Sequence, residues 1–93
     1  MYKEILRIKA AEGKLEELKA VVKKLAELAS ASPECSYCKG YTETNNEGWV
    51  MIDQEFVSKE AFLELVSTEE VALLDGQMKK YVVDGISFIL EEL

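Results

Sequence analysis

The stretch from Trp49 to Leu74, WVMIDQEFVSKEAFLELVSTEEVALL, constrains this chain most. It reads as a buried strand, a helix capped by Ser58, a second cap at Ser67 or Thr68, and another helix. Ser67 stands three residues before Glu70, the spacing of a capping box. Placed after what precedes it, this order completes a strand-helix-strand-strand-helix-strand plan. The helix positions where a catalytic group could sit hold apolar or acidic residues.

The preceding half supplies the matching elements. Residues 2–10 alternate, with Tyr2, Leu6 and Ile8 on one side and Lys3, Ile5, Arg7 and Lys9 on the other. Glu12-Gly13 is a turn. Residues 14–30 form a helix whose Leu15, Leu18, Val22, Leu25 and Ala29 make one apolar stripe. Pro33 ends it, because the residue before a proline avoids the helical region. Residues 35–44 are a second strand, Asn45 to Gly48 a hairpin turn and 49–56 a third strand. Residues 82–90 are a fourth strand, with Gly85 as an expected bulge or kink. Gly76 weakens the helix before it, whose last turns are expected to fray. The predicted fold class is therefore α+β, ferredoxin-like, with a four-stranded antiparallel sheet and helices on one face.

The 93 residues make one domain, 1–93, whose core alone is marginal. That core has two faces to satisfy. Val50, Ile52 and Phe56 can point at the helices, which leaves Trp49 and Met51 on the opposite side. Tyr37 and Tyr41 share a side of strand two. Strand four offers Val83 and Ile89 on one side and Val82, Ile86, Phe88 and Leu90 on the other. Helices cover only one face, so a second cover is required. The expected cover is another copy of the chain, packed sheet to sheet through Tyr37, Tyr41, Trp49 and Met51.

Eighteen acidic against eleven basic residues give a net charge of −7. With no basic stripe to override it, that field repels a nucleic-acid backbone. No apolar run reaches the ~20 residues of a membrane span, and the N-terminus alternates instead of showing a leader's apolar region. The expected location is cytoplasmic, with no membrane and no nucleic acid as partner.

At this point the residues resemble the antibiotic biosynthesis monooxygenase-like group of dimeric α+β barrels. The features that carry the resemblance are Gly13 after strand one, Pro33 and Cys35 opening strand two, the strand ending at Phe56, and the run SKEAFLELVST at 58–68. The resemblance covers nearly the whole chain and implies a dimeric α/β barrel with a pocket between sheet and helices. It also implies cofactor-free oxygenation of a small aromatic or quinol-type compound. Haem-degrading members carry an Asn, Trp and His triad, which a gap-free reading places at Leu6, Leu65 and Asp75. Quinol-oxidising members carry a Trp at the end of strand three and a following His, which look like Phe56 and Leu65. The chain has no histidine, so haem degradation by the familiar route is not expected.

The expected pocket is lined by Leu6, Ile8, Phe56, Phe62, Leu65, Val71, Asp75 and Met78. It needs no metal and no cofactor, and its ligand is small and apolar or aromatic. Phe56 and the aliphatic groups clamp the ring. Asp75 is the available proton acceptor if it is buried; the alternative is a solvated helix-edge carboxylate beside Gly76. The contrasting function is a binding or structural protein that has lost the catalytic groups. A third reading lies in Cys35 and Cys38, a C-x-x-C pair. As a redox dithiol it would sit at a helix start, but here it opens a strand, where alternation sends the two thiols to opposite faces. Packing as small hydrophobes is the preferred reading of that pair. Arg7, the only arginine, is expected to pair with a carboxylate across the sheet or the dimer.

Overall fold

Alternating residues build a sheet whose two faces differ in chemistry. The computed structural model describes residues 1–93. The elements run β1 (Tyr2–Ala10), α1 (Leu15–Ser30), β2 (Cys35–Thr42), β3 (Trp49–Phe56), α2 (Lys59–Val66), α3 (Glu69–Lys80) and β4 (Val82–Leu90). The sheet order is β2-β3-β1-β4, antiparallel throughout. This is the ferredoxin-like arrangement, with an extra helical segment in its second half. β2 stops at Thr42, two residues before the expected end. In the hairpin that follows, only Gly48 adopts a positive φ.

The helix-facing side carries the core. Ile8, Ala10, Val50, Ile52 and Phe56 are buried there against Leu18, Val21, Val22 and Ala29 of α1, Ala61 of α2 and Met78 of α3. Phe62 fixes α2 to this surface. Its ring lies edge-on to Phe56 at 5.4 Å and stacks on Tyr2 at 5.0 Å, arrangements that add to simple burial.

Caps, helix ends and bulges depart from the sequence reading. Ser67 closes α2 instead of opening α3; its hydroxyl donates to the Leu63 carbonyl at 2.7 Å. Thr68 is the extended residue before α3, and its hydroxyl turns back to Leu65. No capping box with Glu70 forms, because Ser67 is held in helical conformation at the end of α2 and Thr68 takes the place before α3 without a side-chain cap bond. α3 continues through Gly76 to Lys80 without fraying. The bulge in β4 falls at Val83, not Gly85: Lys9 pairs with Asp84 and Ala10 with Val82. Gly85 pairs regularly with Ile8. The bulge puts Val82 on the helix side and leaves Asp84, Ile86, Phe88 and Leu90 on the far side.

A second bulge, at Ser36, overturns the expected placing of the cysteines. Cys35 pairs with Phe56 and Tyr37 with Glu55, so Ser36 is the unpaired extra residue. The count between the two cysteines changes by one, and both thiols meet the core.

Gly40 marks the closest approach of α1 to β2. A Cβ there would lie 2.7 Å from Val22 Cγ1, and a β-branched side chain has few rotamers into which to retreat. Gly40→Ala should therefore destabilise the fold by about 1–3 kcal/mol. The urea midpoint should fall at constant m-value; an unchanged midpoint would show that α1 does not seat on Gly40.

Candidate functional site

Two strands break their own apolar alternation at the same level. Along the helix-facing side β1 reads Tyr2, Glu4, Leu6, Ile8, and β3 reads Val50, Ile52, Gln54, Phe56. The register sets Glu4 opposite Gln54, and Gln54 opposite Cys38. A polar row thus crosses three strands beneath the helices. Gln54 Nε2 donates to Glu4 Oε1 at 2.7 Å. The Cys38 thiol donates to Gln54 Oε1 at 3.6 Å. The chain of bonds sets the amide's direction, oxygen toward the thiol and nitrogen toward the carboxylate.

Above the row lies a cavity of about 100 Å³. Glu4, Gln54 and Cys38 contribute to its lining, with Leu6, Leu25, Ala29, Ile52, Phe62, Leu65, Val66, Val71, Asp75 and Met78. Leu6, Phe62, Leu65, Val71, Asp75 and Met78 come together as the sequence suggested. Ile8 and Phe56 do not reach it. Ile8 is one inner-face position beyond Leu6, buried opposite Val50 and Gly85. Phe56 is fully buried, with Phe62 and Cys35 against it.

Asp75 sits in the cavity wall with its side chain 41% exposed, and its Oδ2 lies 3.1 Å from Lys79 Nζ. Of the two sequence readings, this is the solvated helix-edge carboxylate, with an i,i+4 ion pair added. Sequence reasoning missed Glu4 and Gln54. The available signal was a polar residue at an apolar-phase position in each of two neighbouring strands.

A larger groove of about 580 Å³ runs between α1 and β2, with Val22, Ala26 and Val50 in its floor and Lys19, Lys23 and Glu27 around it. It is open to solvent. The smaller cavity is the stronger candidate, since a few convergent polar groups in an apolar enclosure are what orient a small ligand.

The far face of the sheet is differently built. The Arg7 guanidinium lies 4.8 Å over the Trp49 ring and makes two 2.7 Å bonds to Glu43. These bonds hold the Glu43 carboxyl below its ordinary range. The expected carboxylate partner of Arg7 is thus found within the chain, just past β2. Lys3, Tyr37 and Asp53 form a second polar cluster. Around these, Tyr41, Ile86, Phe88 and Leu90 remain substantially exposed.

No group of three or more His, Cys, Asp or Glu side chains is placed to hold a metal ion. No helix is long and apolar enough to cross a membrane.

The fold is that of solved antibiotic biosynthesis monooxygenase-type domains. One antibiotic biosynthesis monooxygenase superposes with a TM-score of 0.90 at 16% identity, covering 100% of this chain and 99% of the other. A Nitrosomonas europaea protein provisionally assigned the same activity gives 0.90 at 12% identity, over 100% and 99%. A conserved protein from Methanosarcina mazei gives 0.89 at 12% identity, over 99% and 92%. Such low identities establish the shared architecture and leave activity to be argued from the site. No protein-family model and no curated protein sequence matches the chain.

The thiols have a distinct chemical consequence. Burial, then the neighbouring Cys35 and Asp53, push the Cys38 thiol from 9.0 up to about 12. Burial also raises Cys35. Raised thiol values mean little thiolate, so neither cysteine resembles an activated nucleophile. Folded protein should resist iodoacetamide at neutral pH, and Cys38 should label only when denaturant is added. In the unfolded chain Cys38 loses its proton first, so it favours folding below its ordinary range and that contribution is lost as pH rises toward about 12. Wild type should therefore lose stability more steeply across that window than Cys38→Ala. Equal slopes would contradict the buried, neutral thiol.

Proposed function

We propose that this chain binds a small aromatic or quinol-type compound between sheet and helices and oxygenates it without a cofactor. The observation that carries the reading is the cavity under α2 and α3, apolar in its walls and polar in its floor. The shared architecture with antibiotic biosynthesis monooxygenases supports it. In this reading Leu6, Phe62 and Leu65 hold the ring and exclude water. The groups that can take a hydroxyl proton are Asp75 in the wall and Glu4 in the floor. Loss of that proton leaves the electron pair on the ring oxygen; the electron-rich ring carbon bonds one atom of dioxygen, and the other leaves as water with two hydrogens from the quinol, which is itself the reductant and ends as a hydroxyquinone. General-base assistance of this kind contributes about a hundredfold or more.

A second reading, binding without chemistry, is favoured by two specific observations. The Asp75 carboxylate is engaged by Lys79. The cavity, at about 100 Å³, is smaller than the roughly 150 Å³ that holds benzene in an engineered core. A ring enters only as side chains such as Met78 and Leu65 change rotamer, and methionine does so readily.

The proposed assembly is a homodimer in which a second copy covers the far sheet face. Tyr41 (48%), Ile86 (47%), Phe88 (41%) and Leu90 (42%) are exposed on that face in the single chain. An apolar patch beside the open edge of β4 is a site that soluble proteins cover.

Oxygen uptake separates the readings. With a panel of dihydroxynaphthalenes, the enzyme reading requires substrate loss that stops under anaerobic conditions. It also requires a kcat lowered about a hundredfold in at least one of Asp75→Asn and Glu4→Gln. A thermal shift without oxygen uptake would support binding alone. Equal loss with and without oxygen would contradict oxygenation. For the assembly, sedimentation should give a dimer that Phe88→Asp converts to a monomer; a wild-type monomer in dilute solution would overturn the dimer.

A further inference from the structure

We propose that Glu4 and Gln54 together orient the ligand, selecting a ring that carries a hydroxyl donor beside an oxygen acceptor, the pattern of a catechol. This rests on the cavity being a small-molecule site. Glu4 Oε1 accepts from Gln54, and Gln54 Oε1 accepts from Cys38. Only Glu4 Oε1 is bonded within the chain, no lysine or arginine pairs with Glu4, and its second oxygen, on a half-buried side chain, is open to solvent on the cavity side. An amide nitrogen carries two hydrogens, so one N–H of Gln54 is also free. The row therefore offers one acceptor and one donor side by side, both on residues that line the cavity.

Glu4 and Gln54 are half-buried with their free groups still hydrated, so a ring that fills the cavity strips that water and must replace its hydrogen bonds. A ligand that donates to Glu4 Oε2 and accepts from Gln54 Nε2 does so. A ring of equal size without these groups leaves both unpaired, and sites of this kind discriminate strongly against such analogues. Cys38 has a positioning part: its bond to Gln54 Oε1 turns the amide nitrogen toward Glu4.

The test is a titration of isotopically labelled protein with catechol and with ortho-xylene, which matches its size but has no polar group. The backbone amides of Leu6 and Leu65 report occupancy. Glu4→Gln should weaken catechol about tenfold or more, while ortho-xylene binding stays within about twofold. Gln54→Asn, which withdraws the amide by one carbon, should weaken catechol in the same selective way and serves if Glu4→Gln does not fold. If ortho-xylene binds and catechol affinity is unchanged in the folded variant, the role of Glu4 and Gln54 is overturned while the cavity reading stands. If neither compound shifts the cavity amides of the wild type, the cavity reading falls and the pair's role falls with it.

Discussion

The register of β1 against β3 is the constraint on which everything else rests. Leu6 faces Ile52, Ile8 faces Val50, and Glu4 faces Gln54. Side chains alternate across a strand, so a slip of one residue would exchange the two faces completely. Ile8 would then point outward and Arg7 would be driven under α1. The hydrophobic cost of that exchange pins the register. Once it is pinned, the polar row, the cavity and the aromatic far face follow without further instruction.

The two faces of the one sheet are packed differently. The helix side is tight where α1 crosses Gly40, with an open groove alongside α1 and a smaller, more enclosed cavity under α2 and α3. α1 seats so tightly that Gly40 has no space for a methyl group. α2 buries only Ala61 fully and is held chiefly by Phe62 against Tyr2 and Phe56. A segment with few buried apolar groups opens at lower free energy than the body of a fold. α2, part of the cover of the cavity, is therefore expected to open more readily than α1. On the far side, Arg7 lies flat between Trp49 and Glu43, so its charge is balanced inside the chain. A second copy can cover that side without leaving the Arg7 charge unpaired.

The fold was largely legible because it follows from strand period, helix stripe and turn residues. The β1, β3 and β4 spans agree with the residues expected, and α1 buries Leu18, Val22 and Ala29 of the predicted stripe, half-buries Leu15 and Leu25, and adds Val21. The bulges were not legible. Ser36 and Val83 carry no local mark, and Gly85 drew attention only as a glycine; a bulge is set by how two strands fit, which one strand's sequence does not hold. This is why Cys35 and Cys38 fell on the wrong faces. The cavity was legible in its walls and missed in its floor. Leucine, phenylalanine and valine at helix spacing announce an apolar lining, whereas Glu4 and Gln54 acquire meaning only when the register places them together. Asp75 looked special because it stood on an apolar flank, and the lysine four residues on gave it an ordinary partner.

A crystal structure grown with catechol tests the central claim most directly. The ring should lie between Leu6, Phe62 and Leu65, with one hydroxyl on Glu4 Oε2 and the other on Gln54 Nε2. A ring seated in the α1–β2 groove instead, or a closed cavity with Glu4 turned away from Gln54, would contradict it.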